Sequence, residues 1–201
     1  LSASSTEQTV SLDSEVAGPS PTLYWEFDQG YGTNAEDATS NGLDGTLNNT
    51  PTWQTEDQCV AGKCLYFDGT NNENVSVADN DKLDFQAANN FTIGAWVKRN
   101  GAASANTVIL QKSNDLIGNA YTGYKLYMDA SGDFCFAIKE GTNAVDTACT
   151  SAVDFDDDAW HFVQGVKAGT TSITHELPIQ VATGGAYQRT FTVANTAGWS
   201  P

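Results

Sequence analysis

Short segments of alternating apolar and polar residues, together with short apolar runs, recur along the chain, and both patterns predict β-strands. The clearest case is residues 91–97, Phe-Thr-Ile-Gly-Ala-Trp-Val. Other strand-like runs, either alternating or continuously apolar, occur at 23–27, 64–67, 74–77, 107–110, 124–128, 134–138, 145–149, 160–166, 172–174, 179–181 and 190–193. No window shows the sustained 3.6-residue period of an amphipathic helix. The chain is therefore predicted to be all-β, a two-sheet antiparallel sandwich of the jelly-roll kind.

The predicted domain begins after an extended N-terminal segment. Residues 1–22 are rich in Ser, Thr and Glu and end in Gly18-Pro19-Ser20-Pro21, which predicts a tail or linker. Val10 and Leu12 alternate with polar residues there, so the tail can also form a short added strand. Residues 23–201 are predicted to form one domain, because all-β sandwiches reach this length as single units.

The charge balance limits the partners of this chain. There are 25 Asp and Glu residues against 9 Lys and Arg, which gives a formal net charge of −16. Nucleic-acid binding and docking on anionic lipid both need a basic surface, so neither is expected. No apolar run approaches the roughly 20 residues of a membrane helix, so we predict no membrane span.

Four cysteines, at positions 59, 64, 135 and 149, favour disulfides in an oxidising compartment. Residues 139–143 are typical of a hairpin turn, and a hairpin centred near Thr142 places Cys135 opposite Cys149. Cys59–Cys64 then closes a small loop. The alternative is a zinc site, for which the Cys-x4-Cys spacing is poor. The first residues show no signal-peptide pattern, so we expect either a mature, processed chain or a trimmed one. The disulfides favour a secreted or cell-surface location.

Several segments resemble, in order, the laminin-G-like family, which has the concanavalin A-like jelly-roll fold. They are Tyr-Trp-Glu-Phe-Asp at 24–28, Asp-Ala-Thr-Ser-Asn-Gly-Leu-Asp-Gly at 37–45, Gly-Lys-Cys-Leu-Tyr-Phe-Asp-Gly at 62–69, Phe-Thr-Ile-Gly-Ala-Trp-Val-Lys at 91–98 and Trp-His-Phe-Val at 160–163. The resemblance is strongest over residues 23–168. The family's usual closing strand does not occur before Pro201. Either residues 186–197 or the N-terminal tail replaces it, or the sheet edge stays open to another chain.

Calcium is the cofactor that the resemblance and the residues suggest, since jelly-roll domains of this kind often hold a structural Ca²⁺ near the first strand. Ca²⁺ takes six to eight oxygen ligands, often from one loop. We predict Asp28, Asp37 and Asn41 as the ligands, because they crowd the segment after the first predicted strand. The alternative is that these side chains only build turns by bonding to the backbone.

The aromatic residues divide into predicted core and predicted binding groups. Trp25, Trp96 and Trp160 lie in alternating runs and are predicted to be buried. Rings in or beside loops can stack on the apolar faces of sugars, and these candidates are Trp53, Tyr31, Tyr121 and Tyr124.

Catalysis is not expected. Glucan-hydrolysing relatives of the fold carry a Glu-x-Asp-x-(x)-Glu strand, and retaining chemistry needs two close carboxylates. Here only Glu26 and Asp28 share strand spacing.

The sequence therefore predicts a non-catalytic extracellular recognition or adhesion module that binds carbohydrate or a cell-surface protein. Two alternatives remain open. One is a structural subunit of a surface filament, which assembles with copies of itself by strand exchange. The other is an accessory domain of a secreted glycoside hydrolase.

Overall fold

The computed structural model describes residues 20–85, 89–99, 107–112, 123–139, 145–150, 155 and 157–168, together with the backbone of 172–181 and 185–194. Its regular structure is almost entirely β, with 3-10 turns at Glu56–Gln58 and Asp81–Leu83. The strands in chain order are β1 Asn34–Ala35, β2 Gly45–Asn48, β3 Thr52–Gln54, β4 Cys64–Tyr66, β5 Asn74–Ser76, β6 Phe91–Lys98, β7 Thr107–Lys112, β8 Gly123–Met128, β9 Phe134–Lys139, β10 Asp146–Cys149, β11 Trp160–Ala168, β12 Ser172–Val181 and β13 Gly185–Ala194.

The chain divides into two compact units, of which the first ends at Ala78. It contains a sheet in the order β1-β2-β5 and the antiparallel pair β3-β4. Gly45 at the start of β2 lies against the Trp25 ring, since a Cβ at this position would come within 2.8 Å of the ring. The lack of a side chain at this position lets the indole pack on the sheet, where its Nε1 donates a hydrogen bond to the Leu43 carbonyl at 2.9 Å.

The second unit begins at Asp79 and is a sandwich of two four-stranded antiparallel sheets. Their orders are β10-β9-β8-β7 and β13-β12-β11-β6. One apolar cluster joins side chains of both sheets, among them Leu126 and Phe136 from the first and Ile93 and Val163 from the second. This common core confirms the predicted all-β, two-sheet antiparallel fold.

The late strands are longer than the sequence predicts. The runs at 172–174 and 179–181 join into the single strand β12, which pairs with β13 along its whole length. β12 pairs with β11 only from Ser172 to Glu176. Pro178, which has no N–H to donate, therefore lies where the described ladder to β11 has already ended.

The strand predicted at 23–27 is wrong in extent. Only a single antiparallel bridge forms there, between Trp25 and Asp37. Phe27 has φ of 57°, so the backbone leaves the extended conformation at that residue. The predicted tail at 1–22 lies outside the described residues up to position 19, and its boundary stays a prediction.

Trp96 is not a core residue, which corrects the sequence prediction. The inward side chains of β6 are the odd-numbered ones, so Phe91 and Ile93 are buried while Trp96 is 40% exposed on the opposite face. The size of the indole suggested burial, but the period of two decides which face it takes. Trp25 and Trp160 are half-buried.

Both predicted disulfides are confirmed. Cys135 on β9 pairs in register with Cys149 on β10, and their sulfurs are bonded. Cys59 is bonded to Cys64. Zinc coordination by these thiols is thereby excluded for the oxidised protein.

We predict that removing the two disulfides has unequal effects. The Cys135–Cys149 bridge closes the longer loop, with a sequence separation of 14 against 5 for Cys59–Cys64. Chain-entropy arguments give about 3 kcal/mol of unfolding free energy for the first and about 2 kcal/mol for the second. Urea unfolding of the Cys135→Ala/Cys149→Ala and Cys59→Ala/Cys64→Ala pairs measures both. A larger loss from the second pair would contradict this ranking.

We predict that Gly165→Ala is destabilising. A Cβ at this β11 position would overlap the ring of Phe136 on β9, so the substitution overpacks the space between the sheets. We expect a loss of about 1–3 kcal/mol in unfolding free energy.

Phe136→Leu provides the control for this prediction. The smaller side chain makes room at Gly165, so in that background Gly165→Ala should cost less. Strictly additive effects of the two substitutions in urea unfolding would show that the Phe136 ring does not limit this position.

Candidate functional site

One carboxylate organises the polar segment that follows the first aromatic run. Asp37 Oδ1 accepts hydrogen bonds from the backbone N–H of Tyr24 at 3.1 Å and of Thr39 at 3.0 Å. Its Oδ2 accepts from the Thr39 hydroxyl at 2.8 Å and from the N–H of Leu43 at 2.9 Å. The N–H of Asp37 itself donates to Asp44 Oδ1 at 2.8 Å. One side chain thus ties the Tyr24 segment to the turn between Asp37 and Leu43.

These contacts set the charge state of the carboxylate. Partial burial raises the pKa of Asp37, but the hydrogen bonds from Leu43, Thr39 and Tyr24 outweigh burial and lower the pKa to about 2. Asp37 is therefore ionised at neutral pH, which keeps it an acceptor on both oxygens.

An open cleft of about 540 Å³ lies beside this turn. One side consists of residues 20–24 and the other of residues 38–41; the lining residues are Ser20, Pro21, Thr22, Tyr24, Ala38, Thr39, Ser40 and Asn41. Hydrogen bonds join the two sides: Asn41 Nδ2 donates to the Thr22 carbonyl at 2.9 Å, and the N–H of Ala38 donates to the Tyr24 carbonyl at 2.9 Å.

The lining suits an uncharged polar ligand. Tyr24 is 51% exposed and offers a broad apolar ring face, while Ser40 is exposed and offers a hydroxyl. Concave sites that combine an aromatic surface with a few fixed polar groups are typical of small-ligand binding.

The three predicted calcium ligands already make hydrogen bonds within the protein. Each carboxylate oxygen of Asp37 already accepts two hydrogen bonds from the protein. Asn41 directs its amide nitrogen at Thr22, and Asp28 Oδ1 accepts from the N–H of Lys63 at 2.7 Å. These hydrogen bonds support the turn-building role of Asp37. Calcium binding in this loop stays a prediction.

Another group with metal-ligating atoms occurs among the described residues. It consists of Asp129, Cys135 and Cys149. Both sulfurs are in the disulfide, so the group cannot bind a metal as thiolates in the oxidised protein.

The aromatic side chains that were predicted to bind sugars differ in exposure. Tyr31 is 77% exposed, and Trp53 is half-buried with its Nε1 donating to the Gly32 carbonyl at 3.0 Å. This bond places Trp53 next to the segment that carries Tyr31. Tyr121 lies outside the described residues.

The prediction for Tyr124 is wrong. Its ring is only 6% exposed and packs on Phe91 at 5.3 Å between centroids, and its hydroxyl donates to the Leu83 carbonyl at 3.3 Å. Burial raises the pKa of Tyr124 to about 12. A ring in this position has no face for a sugar.

Tyr24 is a cleft residue that the sequence analysis did not select. The signal was present, because Trp25 packs inward and its chain neighbour in an extended segment must point outward. The aromatic residues at 24, 25 and 27 lie so close together that the pattern does not show which of them point outward.

Comparison with known proteins matches residues 68–197 to a laminin G-like family described as the Concanavalin A-like lectin/glucanases superfamily. The chain belongs to this superfamily. The match includes the 91–98 and 160–163 motifs and continues beyond residue 168, but it begins at residue 68, so the 24–28 and 37–45 motifs lie outside it. No curated protein and no solved structure gave a match.

Membership in the Concanavalin A-like lectin/glucanases superfamily supports a carbohydrate- or protein-binding module. Domains of this family, like disulfides, are typical of extracellular proteins. Within the described part of the chain, no helix is long and apolar enough to cross a membrane.

We predict that Asp37→Asn destabilises the first unit in a pH-dependent way. The asparagine amide keeps one acceptor oxygen, but its NH₂ group faces the Thr39 and Leu43 donors that bind Oδ2 in the wild type. We therefore expect the unfolding free energy at pH 7 to fall by about 1–3 kcal/mol. The folded pKa of about 2 lies below the ordinary value of 3.8. The contribution of Asp37 is therefore complete above about pH 4 and is lost as the pH falls through 2.

Unfolding curves at several pH values measure this difference. The difference in unfolding free energy between wild type and Asp37→Asn should become smaller as the pH falls from 5 toward 2. Glu36→Gln, a change at the neighbouring exposed carboxylate, is the matched control. A gap that stays constant over this range would contradict the assigned role of Asp37.

Proposed function

We propose that the chain is a non-catalytic, extracellular recognition module that binds a glycan in the cleft between residues 20–24 and 38–41. The observation that carries the proposal is the exposed Tyr24 ring beside fixed hydroxyl and amide groups. A ring face takes the apolar face of a pyranose, and hydroxyl and amide groups exchange hydrogen bonds with its hydroxyls.

The hydrogen bonds of Asp37 support the proposal by preorganising the site. They hold the backbone at Tyr24 on one side of the cleft and at Thr39 on the other before any ligand binds. A site that is already ordered loses less conformational entropy on binding. The formal charge of −16 repels polyanions, so a neutral glycan is the favoured ligand.

The chemistry of the lining supports binding rather than hydrolysis. Among the described residues that line the cleft there is no Asp, Glu or His. Glycoside hydrolysis by the usual route needs a pair of carboxyl groups across the scissile bond.

We predict that Tyr24→Ala weakens glycan binding at least about tenfold, because it removes the ring face. A glycan array followed by calorimetry on the best neutral ligand measures this. Tyr24→Phe should keep most of the affinity. Tyr66→Ala, which changes another exposed ring of the same unit, is the matched control. Equal affinities for wild type and Tyr24→Ala would refute the cleft as the binding site.

The same assay tests the calcium prediction. Affinity and melting temperature are compared in excess Ca²⁺ and in excess chelator, since an ion bound only to the folded state raises stability by mass action. If calcium supports the 28–41 loop, chelation lowers both quantities. An unchanged melting curve would leave the turn-building role alone.

Assembly with other copies is a second candidate function, and edge strands favour it. Within the described residues β7 pairs only with β8, and β13 only with β12. Unpaired strand edges can accept another strand. Light scattering after size exclusion tests this proposal: oligomers that are lost when residues 1–20 are deleted would support it, and a monomer of 21.4 kDa at all concentrations would refute it.

A further inference from the structure

The Cys135–Cys149 disulfide lies next to a carboxylate. Cys135 on β9 is directly opposite Cys149 on β10, and their Cα atoms are 4.0 Å apart. A carboxylate oxygen of Asp129, the residue after β8, and the two sulfurs all lie within 4.8 Å of one another. Thiolates and carboxylates are both zinc ligands, so these three side chains become a ligand set when the sulfurs are reduced.

Backbone pairing and packing beside the disulfide hold the two sulfurs in register. β9 pairs with β8 over six residues and with β10 over four. Next to the ladder, the N–H of Thr150 donates to the Phe134 carbonyl at 2.8 Å, and the Thr150 hydroxyl accepts from the N–H of Phe134 at 3.1 Å. Phe134, Phe136 and Ala148 belong to the apolar core. We therefore expect this register to persist when the S–S bond is reduced.

The carboxylate of Asp129 is also held in place. Its Oδ1 accepts hydrogen bonds from the N–H of Ser131 at 2.8 Å and from the N–H of Asp133 at 3.1 Å. Both hydrogen bonds that the described residues donate to this carboxylate end on Oδ1, so Oδ2 keeps its lone pairs for a cation. Hydrogen bonds that orient a ligand side chain in this way are a usual feature of metal sites.

The surroundings of the cluster admit a cation from one side. Cys135 is fully buried, whereas Cys149 and Asp129 are half-buried. An ion can therefore reach the sulfurs past Cys149 and Asp129, while the Cys135 sulfur stays shielded from water. The formal net charge of −16 attracts cations to the protein.

We propose that the reduced form of this cluster binds one Zn²⁺ through Cys135, Cys149 and Asp129, with a water molecule as the fourth ligand. A dithiol reductant supplies two electrons and two protons to the S–S bond and becomes a disulfide itself, which leaves two thiols. Zn²⁺ then binds both sulfurs as thiolates, and their two protons pass to solvent. The disulfide and the metal are alternative links between β9 and β10, and reoxidation of the sulfurs expels the ion.

The ligand set fits zinc and not calcium. Tetrahedral zinc keeps its ligand atoms about 3–4 Å apart, so atoms that lie within 4.8 Å of one another need to move by only about 1 Å. Thiolates favour Zn²⁺, whereas Ca²⁺ takes oxygen ligands. The site uses none of the residues of the 28–41 loop or of the cleft, and it goes beyond the function proposed above.

The test uses the full chain with the substitutions Cys59→Ala/Cys64→Ala, so that Cys135 and Cys149 are the remaining cysteines. The protein is reduced with a phosphine, freed of metal and titrated with Zn²⁺ alone against a chromogenic chelator. A parallel titration uses Co²⁺ alone, whose absorption spectrum reports tetrahedral thiolate ligation. We expect one Zn²⁺ per chain in the reduced protein, none in the oxidised protein and no competition from excess Ca²⁺.

Unfolded chains with free thiols also bind zinc, so ¹H–¹⁵N correlation spectra are recorded at each step. The zinc-bound reduced protein should show the amide shifts of the folded β9 and β10. If the reduced protein unfolds without metal, one equivalent of Zn²⁺ should restore these shifts. Zinc binding without the folded shifts would overturn the inference.

Asp129→Asn separates metal ligation from folding, because the amide oxygen can still accept the hydrogen bonds from Ser131 and Asp133. We expect this variant to bind Zn²⁺ at least about tenfold more weakly. Asp133→Asn removes the same charge from the same turn and is the matched control, for which we expect a smaller effect. No zinc binding by the reduced protein, or equal losses from Asp129→Asn and Asp133→Asn, would overturn the inference.

Discussion

The ionised carboxylate of Asp37 is the contact on which the proposed binding site depends. Without it, the N–H groups of Tyr24, Thr39 and Leu43 would each need another acceptor, and no regular sheet supplies one at this point. Backbone pairing between these segments is limited to the isolated Trp25–Asp37 bridge. Beyond this bridge, the Asp37 carboxylate accepts the hydrogen bonds that a paired strand would otherwise accept. The shape of the cleft follows from this ionised group together with the hydrogen bonds from Asn41 to Thr22 and from Ala38 to Tyr24.

The second unit depends on close approach of its two sheets. Gly165 on β11 lacks a side chain where the Phe136 ring of β9 fills the space, and the inward residues of β6 and β8 complete the same core. Close packing here fixes which residues of each strand face inward. The period of two then places Trp96 and Phe162 on the outer face of their sheet.

The features that follow from local pattern could be predicted from the sequence. The register of Cys135 and Cys149 was predictable because a short hairpin sets its own pairing. The face that Trp96 takes also follows from the sequence, since the odd-numbered residues of its strand are the more apolar set. The hydrophobicity of the indole alone indicates burial and is misleading here. Tyr124 was misassigned because it lies at the start of a strand, where the sequence alone does not show that Phe91 and Leu83 lie beside it.

The role of Asp37 could not be predicted, because both uses of the residue need the same composition. A calcium loop and a turn stabilised by side chains each place Asp, Asn and Gly close together. The two kinds of loop differ in whether backbone N–H groups point at the carboxylate. Here those groups belong to Tyr24 and Leu43, which are separated from Asp37 along the chain. The cleft could not be predicted for the same reason, because its two sides come from segments that are separate in the sequence.

The central claim is that the cleft between residues 20–24 and 38–41 binds a glycan. The most direct measurement is a ¹H–¹⁵N correlation map of the full chain, titrated with the best neutral glycan from an array. The account predicts saturable shifts centred on the backbone amides of Tyr24 and Ala38–Asn41, with the Leu43 amide retaining the position expected for a hydrogen bond to Asp37. Saturable binding that leaves the amides of residues 20–24 and 38–41 unchanged would contradict it.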